Sequence, residues 1–222
     1  MSTSHMRCVV VTWGDAYRMS RKMALAAKAS KFIPDVVVGI SRGGVVPARI
    51  ACDILGVSDL LTVKIEHWLQ TGAHTEHAVI KHALSTQLDG KKVLVVDDIA
   101  DTGESLKEAV AHCASRGSAT VKSAVMQKLS GSRFEPDFVG EAVVDWAWFI
   151  YPWNFYEDLT NLTRKLLESQ PSHSWTLVDV QKAFKREYGA RVSKKKLREV
   201  VLNLNEKGVV SMDGPVFHAT SK

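Results

Sequence analysis

Three aspartates, a threonine, a glutamate and a serine follow a short apolar segment near the middle of the chain, in the sequence VLVVDDIADTGES at residues 93–105. The valine-rich start is typical of a strand buried in a parallel sheet. Ligands of such sheets bind at the carboxyl ends of the strands, so Asp97 and Asp98 are expected to project into a ligand crevice. Two adjacent carboxylates can bind the hydroxyls of a polyol, and they can hold Mg²⁺ directly or through water.

The residues that follow predict a phosphate site beside these acids. Asp101-Thr-Gly-Glu-Ser105 forms a tight turn that begins a helix. The free N–H groups of that turn, with the hydroxyls of Thr102 and Ser105, make a cradle for an anion. A surface turn that uses Asp only for capping would explain a lone DxxDTG equally well. Carboxylates for hydroxyls next to a cradle for phosphate instead predict a sugar phosphate as ligand.

A second candidate phosphate loop follows an earlier apolar segment. Ser41-Arg-Gly-Gly44 comes directly after the run DVVVGI at residues 35–40. Glycines at this position let the backbone approach a phosphate closely, and Arg42 supplies positive charge and hydrogen-bond donors. The loop is therefore a second candidate for binding phosphate.

These motifs resemble the ribose-phosphate motif and the pyrophosphate loop of type I phosphoribosyltransferases, and the resemblance covers about residues 10–155. It implies transfer of the phosphoribosyl group of 5-phosphoribosyl diphosphate (PRPP) to a base, with Mg²⁺ as cofactor. Asp97 and Asp98 would hold the ribose hydroxyls, and Asp101 would act as general acid and base. The residues implied for the 5′-phosphate are Asp101, Thr102, Gly103, Glu104 and Ser105. Those implied for pyrophosphate are Ser41, Arg42, Gly43, Gly44 and Lys64.

A third segment resembles the purine-binding branch of this family. Trp148-Phe-Ile-Tyr-Pro-Trp153 is similar to the nucleobase loop of xanthine-guanine phosphoribosyltransferases. By this resemblance Trp148 stacks on the purine, the backbone of Phe149 bonds the ring edge, and Lys128 donates to the exocyclic O6 of a 6-oxopurine. Core packing is the structural alternative for Trp148, and a surface lysine is the alternative for Lys128.

The identity of the purine is left open by conflicting signals. Asp101 and Lys128 favour a 6-oxopurine such as hypoxanthine, guanine or xanthine. The helical C-terminal third is similar to that of crenarchaeal-type adenine phosphoribosyltransferases, in which the other motifs look like those of 6-oxopurine enzymes. The expectation leans narrowly to adenine and AMP, with a 6-oxopurine as the alternative. Glu104 departs from the family pattern, and its carboxylate must turn away from phosphate to avoid like-charge repulsion.

Alternating apolar and helical segments predict an α/β fold, with a parallel sheet flanked by helices, which is the type I phosphoribosyltransferase fold. Asp15 is expected to cap the first helix. The polar connection over residues 67–90 contains four histidines and is expected to be a mobile active-site loop. Helices are predicted at 15–30, 45–55, 103–115, 154–168, 177–188 and 194–207, and strands at 35–41, 60–66, 93–96, 120–126 and 143–150.

The C-terminal region is expected to form a small, helical, winged-helix-like extension. The predicted domains are residues 1–154 for the phosphoribosyltransferase and 155–222 for the extension, which becomes basic and winged-helix-like from about residue 174. Residues 171–222 contain ten Lys and Arg residues against five acids, and a hairpin with an Asp-Gly turn is predicted over 209–219. A solvated basic face on a supporting bundle is the favoured interpretation; DNA binding by a regulator that senses PRPP or nucleotide is possible but not favoured.

Composition sets the broad class. The chain has 222 residues, 45% hydrophobic and 24% charged, and a net charge of +5. No apolar run reaches the roughly 20 residues of a membrane span, and no signal-peptide pattern is present. Three widely spaced cysteines indicate buried thiols rather than a disulfide or metal framework. These features fit a cytoplasmic protein. The resemblance to phosphoribosyltransferases implies an enzyme that binds PRPP, a purine base and a nucleoside monophosphate, and that forms a homodimer.

Overall fold

The computed structural model describes residues 6–70 and 73–220, and for 67–70 and 73–77 it describes the backbone alone. The chain divides into two compact units. The sheet unit is Thr12–Trp146, and the C-terminal unit is Ala147–Lys222 together with the N-terminal segment up to Val11. Among the described residues, no helix is long and apolar enough to cross a bilayer.

The sheet unit is built on a six-stranded sheet of order β4-β3-β2-β5-β6-β7. All neighbouring strands are parallel except β3 and β4, which form an antiparallel pair. This confirms the predicted α/β class and its parallel sheet. The strands are β2 (Val36–Ser41), β3 (Leu60–Gln70), β4 (Ala73–His82), β5 (Lys92–Ala100), β6 (Thr120–Leu129) and β7 (Phe138–Val143). The helices are α1 (Trp13–Ala29), α2 (Val45–Leu55) and α3 (Glu104–Ser115).

Both faces of this sheet are covered because its central strands are apolar on both sides. Residues 93–96 of β5 are all fully buried. On one face α3 packs through Leu106, Ala109 and Cys113 against strand side chains such as Val38 and Val95. The small buried residues of α1 and α2 pack against the same sheet, which is the arrangement expected of strands that read as continuous hydrophobic runs.

Two expectations about this unit were wrong. The cap of α1 is Thr12, whose hydroxyl accepts a hydrogen bond from Asp15 N (3.1 Å), so Asp15 is the third helical residue of a capping box and not the cap. The predicted loop over 67–90 contains β4, which pairs with an extended β3. Ala78 and Ile80 pack on the core between more exposed neighbours, and this alternation gives the strand one buried face.

The C-terminal unit has its own hydrophobic core. It consists of β1 (Cys8–Val10), β8 (Trp148–Ile150), α4 (Phe155–Ser169), β9 (Trp175–Thr176), α5 (Leu177–Tyr188), α6 (Lys194–Glu206), β10 (Val210–Asp213) and β11 (Val216–Ala219). Its largest buried side chains include Phe184 and Phe217. The strands form a parallel pair, β1 with β8, and a three-stranded sheet of order β10-β11-β9. The predicted helices and the predicted hairpin are present.

These units are divided at different residues from the predicted domains. The predicted boundary lies between 154 and 155, whereas the compact units separate at residues 11/12 and 146/147. The difference arises because β1 and β8 pair along Cys8–Trp148, Val9–Phe149 and Val10–Ile150. The strand predicted over 143–150 is correspondingly two strands, β7 and β8, in different units, with the exposed Val144 and Trp146 between them.

Candidate active site

The two predicted phosphate motifs lie at the topological switch point of the sheet. From β2 the chain crosses to β3 on one side, while β5 pairs with β2 on the other side. Connections that leave neighbouring parallel strands in opposite directions open a crevice at the carboxyl edge of the sheet. The loop Ser41–Gly44 follows β2, and Asp97 to Ser105 spans the end of β5 and the start of α3. The fold therefore brings the two motifs to one crevice.

Glycine packing shows that the two motifs are in direct contact. A Cβ at Gly43 would lie 2.1 Å from Asp98 Oδ2, and one at Gly44 would lie 2.4 Å from the carbonyl oxygen of Val96. Contacts this short do not occur in proteins. Gly44 meets backbone atoms, so only glycine fits there, whereas a Cβ at Gly43 would force either the loop or the Asp98 carboxylate to move. The loop backbone is pressed against the acidic end of β5, and Arg42 at its centre is exposed.

The two adjacent acids are buried, whereas the acids of a surface capping turn are exposed. Asp97 and Asp98 are each 8% exposed, and Asp97 Oδ1 accepts a hydrogen bond from Asp98 N (2.9 Å). Burial, followed by the negative charge of Asp98, raises the pKa of Asp97 well above its ordinary value. A cation or a set of hydroxyl donors would relieve this unfavourable charge, so the pair is suited to Mg²⁺ or to a ribose ring.

The pair alone does not make a complete metal site. Within the described residues, no group of three or more His, Cys, Asp and Glu side chains is arranged to hold a metal ion. The ligands of a bound Mg²⁺ would have to come in part from water and from the oxygens of the substrate, which is usual for magnesium at phosphate sites.

The turn between β5 and α3, where a phosphate cradle was predicted, is tight and packed against a neighbouring loop. Gly103 has a left-handed backbone (φ 86°) and directly precedes α3. A Cβ there would lie 2.5 Å from the Cβ of Phe134, so the turn is packed against the loop after β6. Arg133 N donates to the carbonyl oxygen of Thr102 (3.0 Å) and fixes the two loops together.

Glu104 remains the unusual member of this turn. Its carboxylate lies 3.9 Å from the Nζ of Lys107, one helical turn along α3, and 30% of the side chain is exposed. Lys107 therefore draws the carboxylate along the helix surface and offsets part of its charge. That this carboxylate turns away from a phosphate bound at the turn stays a prediction.

Lys128 lies at the carboxyl end of β6, beside the acidic turn. In the parallel register it is the partner of Ala100, which directly precedes Asp101. Its side chain is only 20% exposed and forms an ion pair with Glu135, which is 77% exposed. A lysine on an ordinary surface would not be this buried. The pairing of Glu135 with Lys128 was not predicted, because no motif around Glu135 indicates a partner.

Lys64 lies next to the glycine loop. It is the register partner of Ser41 across β2 and β3, and its ammonium lies 3.3 Å from the carboxylate of Glu66. Lys81 of β4 lies 3.5 Å from the same carboxylate. The hydrogen bond from Lys64 is the main cause of a lowered pKa for Glu66, so pyrophosphate would share Lys64 with this acid.

The predicted nucleobase residues Trp148 and Phe149 belong to the C-terminal unit. Trp148 is half-buried, packs against that unit's core, and donates its indole N–H to Asp158 Oδ1 (2.9 Å). Phe149, Tyr151 and Trp153 form a ladder in which successive rings stack with centroids 6.4 and 5.1 Å apart. Their roles toward a purine stay predictions. The buried Asp158, which holds Trp148, was missed because an acid in the first turn of a helix reads as a capping residue.

Comparison with known proteins agrees with this geometry. Residues 15–158 match the family "Phosphoribosyl transferase domain". The chain is 31% identical over 149 residues to the xanthine-guanine phosphoribosyltransferase of Idiomarina loihiensis, covering 66% of this chain and 86% of that protein. It is 32% identical over 158 residues to the enzyme of the same name from Cereibacter sphaeroides, covering 68% and 89%.

A solved structure shows the same fold. The purine phosphoribosyltransferase from Pyrococcus horikoshii superposes with a TM-score of 0.56 at 29% identity, covering 67% of this chain and 94% of that one. The family match covers more than half of the chain, and it includes the glycine loop, the buried acids and the turn before α3. The chain belongs to the type I phosphoribosyltransferase family, in its purine branch.

Proposed function

We propose that this enzyme transfers the 5-phosphoribosyl group of PRPP to a 6-oxopurine, giving a nucleoside monophosphate and pyrophosphate. The observation that carries the choice of base is the position of Lys128, a partly buried ammonium in register with the residue before Asp101. An ammonium donates hydrogen bonds, so it suits the O6 acceptor of hypoxanthine, guanine or xanthine and not the amino group of adenine.

The narrow preference for adenine and AMP gives way to its alternative. Two relatives above 30% identity are named xanthine-guanine phosphoribosyltransferases. The argument for adenine came from the helical C-terminal region, which lies outside the family match beyond residue 158. The motifs within the match favour an oxopurine, and these motifs form the candidate active site.

The proposed mechanism assigns each step to residues of the crevice. As the bond to pyrophosphate breaks, positive charge develops at C1 of the ribose, and the carboxylates of Asp97 and Asp98 stabilise it while they hold the ring hydroxyls. Asp101 accepts or returns the proton of the purine's imidazole edge. Residues 101–105 hold the 5′-phosphate, and Ser41–Gly44 with Lys64 hold the departing pyrophosphate. Bound Mg²⁺ would neutralise charge on the pyrophosphate.

The test is a spectrophotometric assay with PRPP, Mg²⁺ and each of adenine, hypoxanthine, guanine and xanthine. We expect turnover of oxopurines. Lys128→Met should lower kcat/KM for these bases about ten- to a hundredfold, because a hydrogen bond from a charged donor contributes about 1.5–3 kcal/mol. Lys122→Met is the matched control: Lys122 lies on the same strand but contacts the rings of Phe32 and Phe138.

Other outcomes of this assay would contradict the proposal. Turnover of adenine alone would restore the adenine reading and show that Lys128 does not contact O6. An equal loss in the Lys122 variant would show that the Lys128 effect is structural. Tight PRPP binding without turnover of any base would indicate a sensor instead of an enzyme. The expected homodimer and cytoplasmic location remain predictions, and light scattering would test the first.

A further inference from the structure

The C-terminal unit has an arrangement of helices and strands that phosphoribosyl transfer does not require. From α4 onwards the order is helix, strand, two helices and hairpin, and β9 completes the three-stranded sheet beside β11. The helices α5 and α6 are joined by a five-residue turn over 189–193. This is the helix-turn-helix arrangement with a strand hairpin beside it, in which the second helix can enter a DNA groove.

The turn between the two helices is fixed, so their relative position is set before any ligand binds. Gly189 ends α5 with a left-handed backbone (φ 66°). Ala190 and Val192 are buried in the core, and Gln181 Nε2 donates to the carbonyl oxygen of Val192 (2.7 Å). Ser193 then caps α6. A surface that is already rigid loses little conformational entropy on binding.

Charge on this helix pair is strongly one-sided. Between residues 182 and 198 there are eight cations and one acid, and all eight cations are exposed: Lys182, Lys185, Arg186, Arg191, Lys194, Lys195, Lys196 and Arg198. The single acid, Glu187, accepts a hydrogen bond from Arg186 (2.6 Å). Glu199, just beyond, accepts one from the hydroxyl of Tyr156 on α4. The acids are thus engaged within the protein.

Packing does not explain these cations. The core of the unit is made of apolar residues on the opposite faces of the helices, such as Phe184 on α5 and Leu197 and Val201 on α6. Lys196 is the exception, because its ammonium lies 3.9 Å above the ring centre of Phe155. Positive charge also accumulates at the start of α6 from the helix dipole. The result is a rigid basic surface of the kind that binds phosphate backbones.

We infer that α5 and α6 bind duplex DNA. The thirteen residues of α6 make a helix about 20 Å long, and the major groove of B-form DNA admits one helix. Single strands are bound by exposed aromatic rings, and none is exposed between Trp175 and Thr220 in the described structure. The deep, narrow major groove of duplex RNA excludes a helix. Asp213 lies at the turn of the hairpin, so the DNA is placed against the helices and away from the hairpin tip.

Fluorescence anisotropy with the full chain and a labelled 24-base-pair duplex tests this inference. Affinity should fall steeply between 50 and 200 mM salt. The triple variant Lys194→Gln, Lys195→Gln and Arg198→Gln should weaken binding about tenfold or more at 50 mM salt. It should also reduce the slope of log affinity against log salt by about 2–3, because each lost phosphate contact contributes about 0.9.

A matched triple variant separates a local surface from net charge. Lys22→Gln, Lys31→Gln and Lys91→Gln remove the same charge from exposed positions of the sheet unit, and binding should change less than about twofold. Absence of binding at 50 mM salt would overturn the inference. So would equal loss in both variants, or competition by single-stranded DNA, duplex RNA or polyglutamate as strong as that by duplex DNA. Both variants should keep full phosphoribosyl transfer, so this test and the base assay fail independently.

Discussion

At the scale of single residues, the candidate site depends on glycines as much as on acids. The carboxylates of Asp97 and Asp98 could be found because they follow the apolar residues 93–96, although both lie within the longer strand β5. Their burial could not be predicted, because the glycine loop that packs on them is distant from them in sequence. The same holds for Lys128, whose neighbour across the sheet is set by the register of β5 and β6.

Gly43→Ala should lower kcat/KM on the order of a hundredfold. The new Cβ would lie 2.1 Å from Asp98 Oδ2, so either the loop or the carboxylate must shift, and a displacement near 1 Å in an active site can cost this much. Steady-state kinetics with saturating Mg²⁺ would measure the loss.

Gly131→Ala is the control for that variant. Gly131 lies in the turn after β6, has no positive φ, and a Cβ there would meet nothing within 4 Å. Its kinetics should match those of the unaltered enzyme. If Gly43→Ala is equally active, the loop is free to adapt and Asp98 does not depend on its packing.

At the scale of elements, local signals located the helices better than the strands. The predicted ranges of α5 and α6 agree with the structure to within one residue, because the capping interactions at helix ends join residues that are close in sequence. The strand β4 was missed because its polar sequence was judged by composition. Its side chains alternate between buried and exposed only because it pairs with β3, and strand pairing is a tertiary interaction that local sequence does not specify.

One histidine connects elements in a manner that depends on pH. His112 on α3 accepts a hydrogen bond at Nε2 from Leu84 N (3.1 Å), in the segment after β4. Burial, and then the charge of Arg116, lowers the pKa of His112 below its ordinary 6.5. The folded state therefore favours the neutral ring. Its contribution to stability is present above about pH 6.5 and is lost as the pH falls toward the folded pKa.

The expected result is a pH-dependent difference between the enzyme and its His112→Gln variant. Urea unfolding at pH 7.5 and at pH 5.5 should show that the unaltered protein loses more stability on acidification than the variant, whose side chain does not titrate. All other side chains are the same in the two proteins, so their contributions cancel in this difference. Parallel pH profiles would mean that His112 is not held neutral by this contact.

At the scale of the whole molecule, the compact units of the structure depend on a long-range strand pairing as well as on a change in composition. A change from balanced charge to a basic tail is visible in composition. The return of the N-terminal strand to pair with β8 is not, because no local pattern in three residues records a partner about 140 positions away. The core that results combines Cys8 with residues of α4, α5 and α6.

The reactivity of the three cysteines can report the opening of each compact unit separately. Cys8 is buried in the C-terminal unit, and Cys52 and Cys113 are buried in the sheet unit. Burial raises the pKa of Cys8 to about 12 and that of Cys113 to about 11, and it also raises the pKa of Cys52. An alkylating reagent reacts with exposed thiolate. At neutral pH each thiol should therefore react only when its own unit opens.

Leu162→Ala should accelerate alkylation of Cys8 alone. Leu162 is fully buried in the same core as Cys8, and truncation of a buried leucine costs about 2–5 kcal/mol. If the unit opens as a whole, the labelling rate should rise about thirtyfold or more, as read by mass spectrometry of each cysteine peptide. Equal acceleration at all three sites would mean that the two units unfold as one. Acceleration at Cys8 alone would mean that the C-terminal unit can unfold while the sheet unit stays folded, and the labelling rate of each cysteine would identify the unit that opens.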